Sequence, residues 1–210
     1  MGQQRVKDVD KEPKIKEGAE KPVTVKKWKG KDWYVILSPK MFGESAVAET
    51  PATDPKSVIG RNVSVSLSEL LGEGSKEFMN LIFKIEKVSG RYAYTRFNGI
   101  VTVREYIARF VRKRVQKVET VDDFTTKDGW KIRVKTVTIL NRNTETTIKK
   151  KMRAHIRSFL KEKIAKSTIE DVVRSVIAGN LQNNIRKSGN KIYPVRFFEI
   201  SKIEVLSLPK

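Results

Sequence analysis

The chain has 210 residues, with 44 Lys and Arg against 24 Asp and Glu, for a formal net charge of +20. It has no cysteine and a single histidine, His155, which excludes disulfides, thiolate metal sites, cysteine nucleophiles and a His-pair metal site within one chain. No apolar run approaches the roughly 18 residues of a membrane helix and the first residues lack a secretory apolar core, so the composition points to a soluble intracellular protein that binds a polyanion.

Residues 1–27 form a polar segment. Among the first 31 residues ten are Lys or Arg and five are acidic. Apolar residues there are sparse and aperiodic, so the segment is expected to be disordered when free, as a solvating tail or as an arm that folds onto a partner. Order is expected to begin at Trp28. Asp32–Leu37 is a short apolar and aromatic run closed by Ser38-Pro39, the pattern of a buried strand. Residues 44–50 read as a weaker strand and 51–55 as a loop. Val63, Val65 and Leu67 alternate with serines, predicting a strand with one wet face.

Leu81, Phe83 and Ile85 alternate with Lys84 and Glu86, and Ser89-Gly90 turns the chain into Arg91–Phe97. That is a hairpin signal, and Asn98-Gly99 reads as a second turn. Thr102 and Glu105 have capping-box spacing, and Val103, Ile107, Phe110 and Val111 recur at helical spacing. Residues 115–124 and 130–140 read as strands joined by a turn at Asp128-Gly129. Ile148, Met152, Ile156, Phe159, Leu160 and Ile164 then form one stripe of a helix of about six turns. Ser167 and Glu170 suggest a capping box for a second helix closed by Gly179, and residues 181–187 a short third one. The final strand covers 192–208, where Phe198 and Ile200, then Ile203 and Val205, are out of phase by one residue, the mark of a bulge.

These elements predict an α+β fold: a curved, barrel-like, mainly antiparallel sheet of about seven strands with about four helices packed outside. The expected organisation is a basic arm over 1–27 and one globular domain over 28–210, with its helical segment at about 145–187.

The charge is concentrated. The helix from Glu145 to Lys166 holds eight basic residues against two acids. Lys149, Lys150, Lys151, Arg153, Arg157 and Lys161 are its candidates for phosphate contact, since i,i+4 pairing cannot account for so many cations. Arg109, Arg112, Lys113, Arg114 and Lys117 cluster where the helix from Thr102 is expected to end. Lys26, Lys27, Lys29 and Lys31 surround Trp28, a pattern that suits a nucleic-acid groove. Arg186, Lys187 and Arg196 complete the set.

Other motifs carry less. Arg91–Phe97 resembles an RRM signature but lacks its glycine and its preceding helix, so Tyr92 and Tyr94 read as neighbours on one sheet face, in the core or as cross-strand pairs. Asp122-Asp123 and Glu170-Asp171 are adjacent carboxylates without catalytic geometry. His155 is read as packed or hydrogen-bonded, with base stacking as the alternative. Gly72-Glu73-Gly74 lacks the spacing of a phosphate loop, and Asn62-Val63-Ser64 is an idle glycosylation sequon. No cofactor, metal, small-molecule substrate or catalytic residue is expected.

Several blocks together carry a resemblance. Lys26-Lys27-Trp28, Lys31-Asp32-Trp33-Tyr34 and Ser38-Pro39-Lys40-Met41-Phe42 come first. Gly60-Arg61 with Val65-Ser66-Leu67, Thr95-Arg96-Phe97-Asn98-Gly99 and Thr125-Thr126-Lys127-Asp128-Gly129 follow in order, then Ile148–Met152 and Ile192-Tyr193-Pro194. The whole resembles the archaeal and eukaryotic small-subunit ribosomal proteins of the S-three-A-e, or eukaryotic-type S-one, family, in a short archaeal-type form. The resemblance implies a non-enzymatic component of the cytoplasmic ribosome, with a barrel-like core, bound to small-subunit rRNA and neighbouring ribosomal proteins. It further implies a position near the mRNA exit side and contacts with initiation factors. The alternative left by the residues alone is a free-standing RNA-binding or RNA-chaperone protein.

Overall fold

A computed structural model describes residues 30–72 and 76–209. Eight strands and six helices follow one another as β1 (Asp32–Leu37), β2 (Ala46–Ala52), α1 (Pro55–Val58), β3 (Asn62–Ser66), α2 (Leu67–Leu71), β4 (Met79–Ser89), β5 (Tyr92–Thr102), α3 (Arg104–Ala108), β6 (Gln116–Thr125), β7 (Lys131–Leu140), α4 (Thr146–Lys166), α5 (Ile169–Ala178), α6 (Asn180–Gly189) and β8 (Val195–Ser207). All eight strands join one sheet, whose main path runs β2-β1-β5-β8-β7-β6, with β4 lying between β3 and β5. Every pairing is antiparallel except β1 with β5.

The fold is therefore α+β and mainly antiparallel, but the sheet is open rather than barrel-like. Among the described residues no ladder joins β6 back to β2 or β3. The eight strands correspond to those read in turn along the chain, and the two helices beyond the four expected are short pieces. Leu67, expected to finish a strand, starts α2, and Pro55 starts α1 at the position where a missing N–H is harmless. Pro51, expected in a loop, lies inside β2 opposite Trp33; β2 is an edge strand, where proline is tolerated.

β5 organises the sheet. One edge pairs with β4 along its length. The other meets β1 at Tyr92–Tyr94 and β8 at Gly99–Val101. Asn98-Gly99 is thus no turn: Asn98 is an extra residue between the pairs Phe83–Phe97 and Ile82–Gly99, a bulge within a continuous strand. The bulge expected in the last strand is present, at Ser201, between the pairs Lys135–Lys202 and Thr136–Ile200.

The main core lies between the sheet and α4–α6. Val118, Phe124, Ile132 and Val134 meet Met152, Ile156, Leu160 and Ile164 of α4, and the core continues to Leu81, Phe83, Phe97 and Ile100. A smaller cluster lies under β1 and β5, around Tyr34, Ile36 and Ala93. On the opposite face of β7 and β8, α3 and the residues after it close over Val137 and Ile139. There Phe78 stacks on Tyr106 and Phe110 on Phe197, with ring centroids 3.9 and 3.7 Å apart.

Candidate nucleic-acid interface

α4 is built as its periodicity predicts. Four stripe residues, Met152, Ile156, Leu160 and Ile164, are buried, while Ile148 and Phe159 are half-buried at the margin. Twenty-one residues make a rod of about 31 Å. Burying the stripe forces the basic residues outward: Lys150, Lys151, Arg153, Arg157 and Lys161 are exposed and Lys149 is half-buried.

Lys149, Arg153, Arg157 and Lys161 recur every four residues and form one row beside β6. The row is partly anchored. Arg153 Nε donates to the Glu119 carbonyl at 3.3 Å, and Arg157 Nε donates to Asp122 Oδ1 at 2.6 Å. Asp122 is on the inner face of β6, with its side chain 9% exposed, whereas Arg157 is 64% exposed. Arg157 and Lys161 also border a groove of about 480 Å³ with Asp122, Phe124 and Ala165. At the far end of the helix Lys166 donates to Glu162, whose carboxyl it holds below the usual range, and the Lys163 ammonium lies 6.0 Å from the Phe159 ring centre.

The second cluster has a different scaffold from the one expected. α3 ends at Ala108, so Arg109 follows it as the cap, Arg112, Lys113 and Arg114 occupy the turn, and Lys117 lies on β6. The capping box is absent: Thr102 is buried, with its hydroxyl donating to the Ile200 carbonyl, and Val103 takes the cap position. Arg114 has φ +67°, a left-handed residue that redirects the chain into β6. All five cations are exposed. Lys117 pairs with Glu119, whose own carbonyl receives Arg153, so the start of β6 brings this cluster to the N-terminal half of α4.

The remaining candidates are dispersed. Arg186 and Lys187 are exposed in the last turn of α6, which is tied to α4 by a 3.0 Å hydrogen bond between His155 Nε2 and Ser188 Oγ. Arg196 is exposed on β8, which is separated from β6 by β7. Lys31 is exposed just before β1, while Lys26, Lys27, Trp28 and Lys29 lie outside the described residues.

The acidic pairs behave as neighbours on regular elements should. Asp122 turns inward to Arg157, and Asp123 turns outward to a two-bond contact with Arg133, which lowers its carboxyl pKa. Asp171 N–H donates to Thr168 Oγ1, so the α5 cap is Thr168 with Asp171, one residue beyond the expected Ser167 with Glu170; Ser167 Oγ donates back to the Lys163 carbonyl. Among the described residues no three His, Cys, Asp or Glu side chains are grouped to hold a metal ion. The residue that sequence reasoning undervalued is Asp122. Its signal was available: Val118, Thr120 and Phe124 set the inner face of β6 and Asp122 is in phase with them.

The family model described as the ribosomal S3Ae family matches residues 19–209. The small ribosomal subunit protein eS1 of Archaeoglobus fulgidus is 38% identical over 185 residues, covering 87% of this chain and 88% of that protein. Its counterpart from Methanothermobacter thermautotrophicus is 36% identical over 182 residues, 87% and 93% respectively. That of Saccharolobus islandicus is 38% identical over 184 residues, 88% of each.

Proposed function

Since the chain belongs to the ribosomal S3Ae family, we propose that it is a structural, non-enzymatic constituent of the small ribosomal subunit that binds small-subunit rRNA through the rim formed by α4 and the start of β6. The observation that supports this most is α4 itself. Its apolar stripe is buried against the sheet, and what remains outside is a cationic row too rich to be neutralised by its own acids. Cations held on a rigid helix contact phosphates with little further loss of freedom, which gives affinity and register rather than base sequence.

In this reading Lys149, Lys150, Lys151, Arg153, Arg157 and Lys161 work with Arg109, Arg112, Lys113, Arg114 and Lys117 along one rim. Arg186, Lys187 and Arg196 extend contact to other faces, and the arm over residues 1–27, with Lys26, Lys27, Lys29 and Lys31 at its junction with the single domain, adds further positive charge. The protein works in the cytoplasm, within the ribosome. Its neighbours are other ribosomal proteins, with mRNA near the exit side and initiation factors as further contacts.

Sucrose-gradient sedimentation at low salt tests the assembly. The protein is expected with small subunits, and finding it only at the top of the gradient would favour a free-standing RNA-binding protein instead. Replacing Lys149, Lys150, Lys151 and Lys161 with Gln tests the face. The slope of log affinity against log salt is expected to flatten by roughly 3, at just under one per phosphate contact. An unchanged slope would move the interface elsewhere.

A further inference from the structure

A second face has a different chemistry. Tyr34, Ile36 and Ala93 are buried under β1 and β5, so the alternate residues Val35, Leu37, Tyr92 and Tyr94 take the other side of the sheet. The parallel ladder sets Val35 beside Tyr92 and Leu37 beside Tyr94. The antiparallel ladder with β4 sets Lys87 opposite Tyr94 and Lys84 opposite Arg96. Trp33 stands two residues before Val35 on the same face. Tyr92 and Tyr94 are each 41% exposed and Trp33 is 56% exposed.

The exposed rings of Tyr92 and Tyr94, side by side on one sheet face, mark an interaction surface. The charge around them distinguishes the partner. The core of a protein interface is depleted in charge, whereas these rings are interleaved with Lys84, Lys87 and Arg96. Among the described residues the acids of this face are Glu86, engaged by Arg96 at 3.0 Å, and Glu49, opposite Val35 on β2. Two rings at i and i+2 of a strand are about 7 Å apart, enough for each to carry its own base. A duplex hides its bases, while a single strand offers them to aromatic side chains.

We propose that the β1–β5 face is a base-stacking platform for single-stranded RNA, with Tyr92 and Tyr94 as the stacking rings and Lys84 and Lys87 on the phosphates. The proposal rests on the RNA-binding reading above but on a different force. Stacking on Tyr92 and Tyr94 releases no counterions, so its loss leaves the salt slope in place, whereas loss of the α4 lysines flattens it.

The test uses the full chain and two labelled RNAs, a single-stranded oligouridine of about 12 nucleotides and a duplex of about 16 base pairs, read by fluorescence anisotropy. The Tyr92→Ala/Tyr94→Ala variant is expected to bind the single strand at least about tenfold more weakly, with duplex binding and both salt slopes unchanged. The Tyr92→Phe/Tyr94→Phe variant is expected to bind like the parent, since stacking needs the ring and not the hydroxyl. Unchanged single-strand affinity in the alanine variant overturns the proposal, as does an equal loss on duplex or a phenylalanine variant that fails as badly. Unchanged RNA binding with loss of a neighbouring ribosomal protein on reassembly would assign the face to a protein contact and overturn the proposal too. Should the alanine variant not fold, photocrosslinking of 5-bromouridine oligomers to the parent chain decides: adducts on Tyr92 or Tyr94 support the platform, and adducts confined to α4 reject it.

Discussion

A methyl group on Gly99 would fall 2.3 Å from the Ile203 carbonyl oxygen of the neighbouring strand. The obstacle is backbone, which cannot swing aside as a side chain would. Gly99→Ala must therefore push β5 and β8 apart where Gly99, Ile100 and Val101 pair with Glu204, Ile203 and Lys202. The expected cost is roughly 1–3 kcal/mol, in the range of overpacking, read as a lower urea midpoint with an unchanged slope. A midpoint equal to the parent's would show that the seam yields freely.

Arg157 has a structural duty that its lysine neighbours lack. Removing it leaves the Asp122 carboxylate on the inner face of β6, with Oδ1 deprived of its donor and Oδ2 already without one among the described residues. Arg157→Ala is expected to destabilise the fold by about 1–3 kcal/mol, and Lys150→Ala by no more than about 0.5 kcal/mol. Thermal melts of the two variants side by side measure the difference. Equal shifts would mean that water replaces the guanidinium at Asp122 without penalty.

Thr168, not Ser167, starts α5. Thr168→Ala removes the acceptor for the Asp171 N–H and is expected to cost about 1 kcal/mol. Ser167→Ala removes only a bond from its hydroxyl to the carbonyl four residues earlier and should change stability little. Urea denaturation of both variants separates the two positions, and the reverse order would restore the cap to Ser167.

Glu199 supplies a pH dependence. It is buried on β8, and burial raises its carboxyl above the ordinary value, against the opposing pull of hydrogen bonds from Gln182 Nε2 and the Ile200 N–H. The folded state thus holds this proton to higher pH than the unfolded chain does. Its contribution to stability is full below the ordinary carboxylate range and is lost as pH rises through the folded value. Glu199→Gln keeps an acceptor for Gln182 and cannot ionise, so the variant is expected to gain on the parent as pH rises from acid to neutral. Urea midpoints across that range give the answer; parallel profiles would show that Glu199 ionises in the fold at no cost.

Legibility in the sequence followed the range of the forces involved. α4 was readable because its six stripe residues keep one period across the whole helix, and the exposure of its cations follows from that stripe alone. The Asp128-Gly129 turn and the Ser201 bulge were readable because each leaves a local trace. Asn98-Gly99 misled because the dipeptide is a turn signal, while the reason for the glycine is a carbonyl on a strand far away in sequence. Thr102 misled likewise: its hydroxyl bonds Ile200 rather than the helix that follows it. The parallel meeting of β1 with β5, which puts Val35 and Leu37 beside Tyr92 and Tyr94, left no sequence trace. The common face of the two tyrosines was legible from their spacing; that it is the solvent face was not.

The short ladder between β5 and β8 also makes the molecule mechanically uneven. On one side of it lie β1–β5, on the other β6–β8 with their helices, each closed by long antiparallel ladders. Across it, strand pairing is confined to Gly99, Ile100 and Val101, supplemented by the Thr102 hydroxyl on the Ile200 carbonyl and the Lys76 ammonium on the Ile177 carbonyl, while the apolar core passes beneath without interruption. Apolar packing resists separation but specifies no angle. The relative twist of the two halves is therefore set chiefly along this short seam. Strain that twists one half against the other is expected to be absorbed there first.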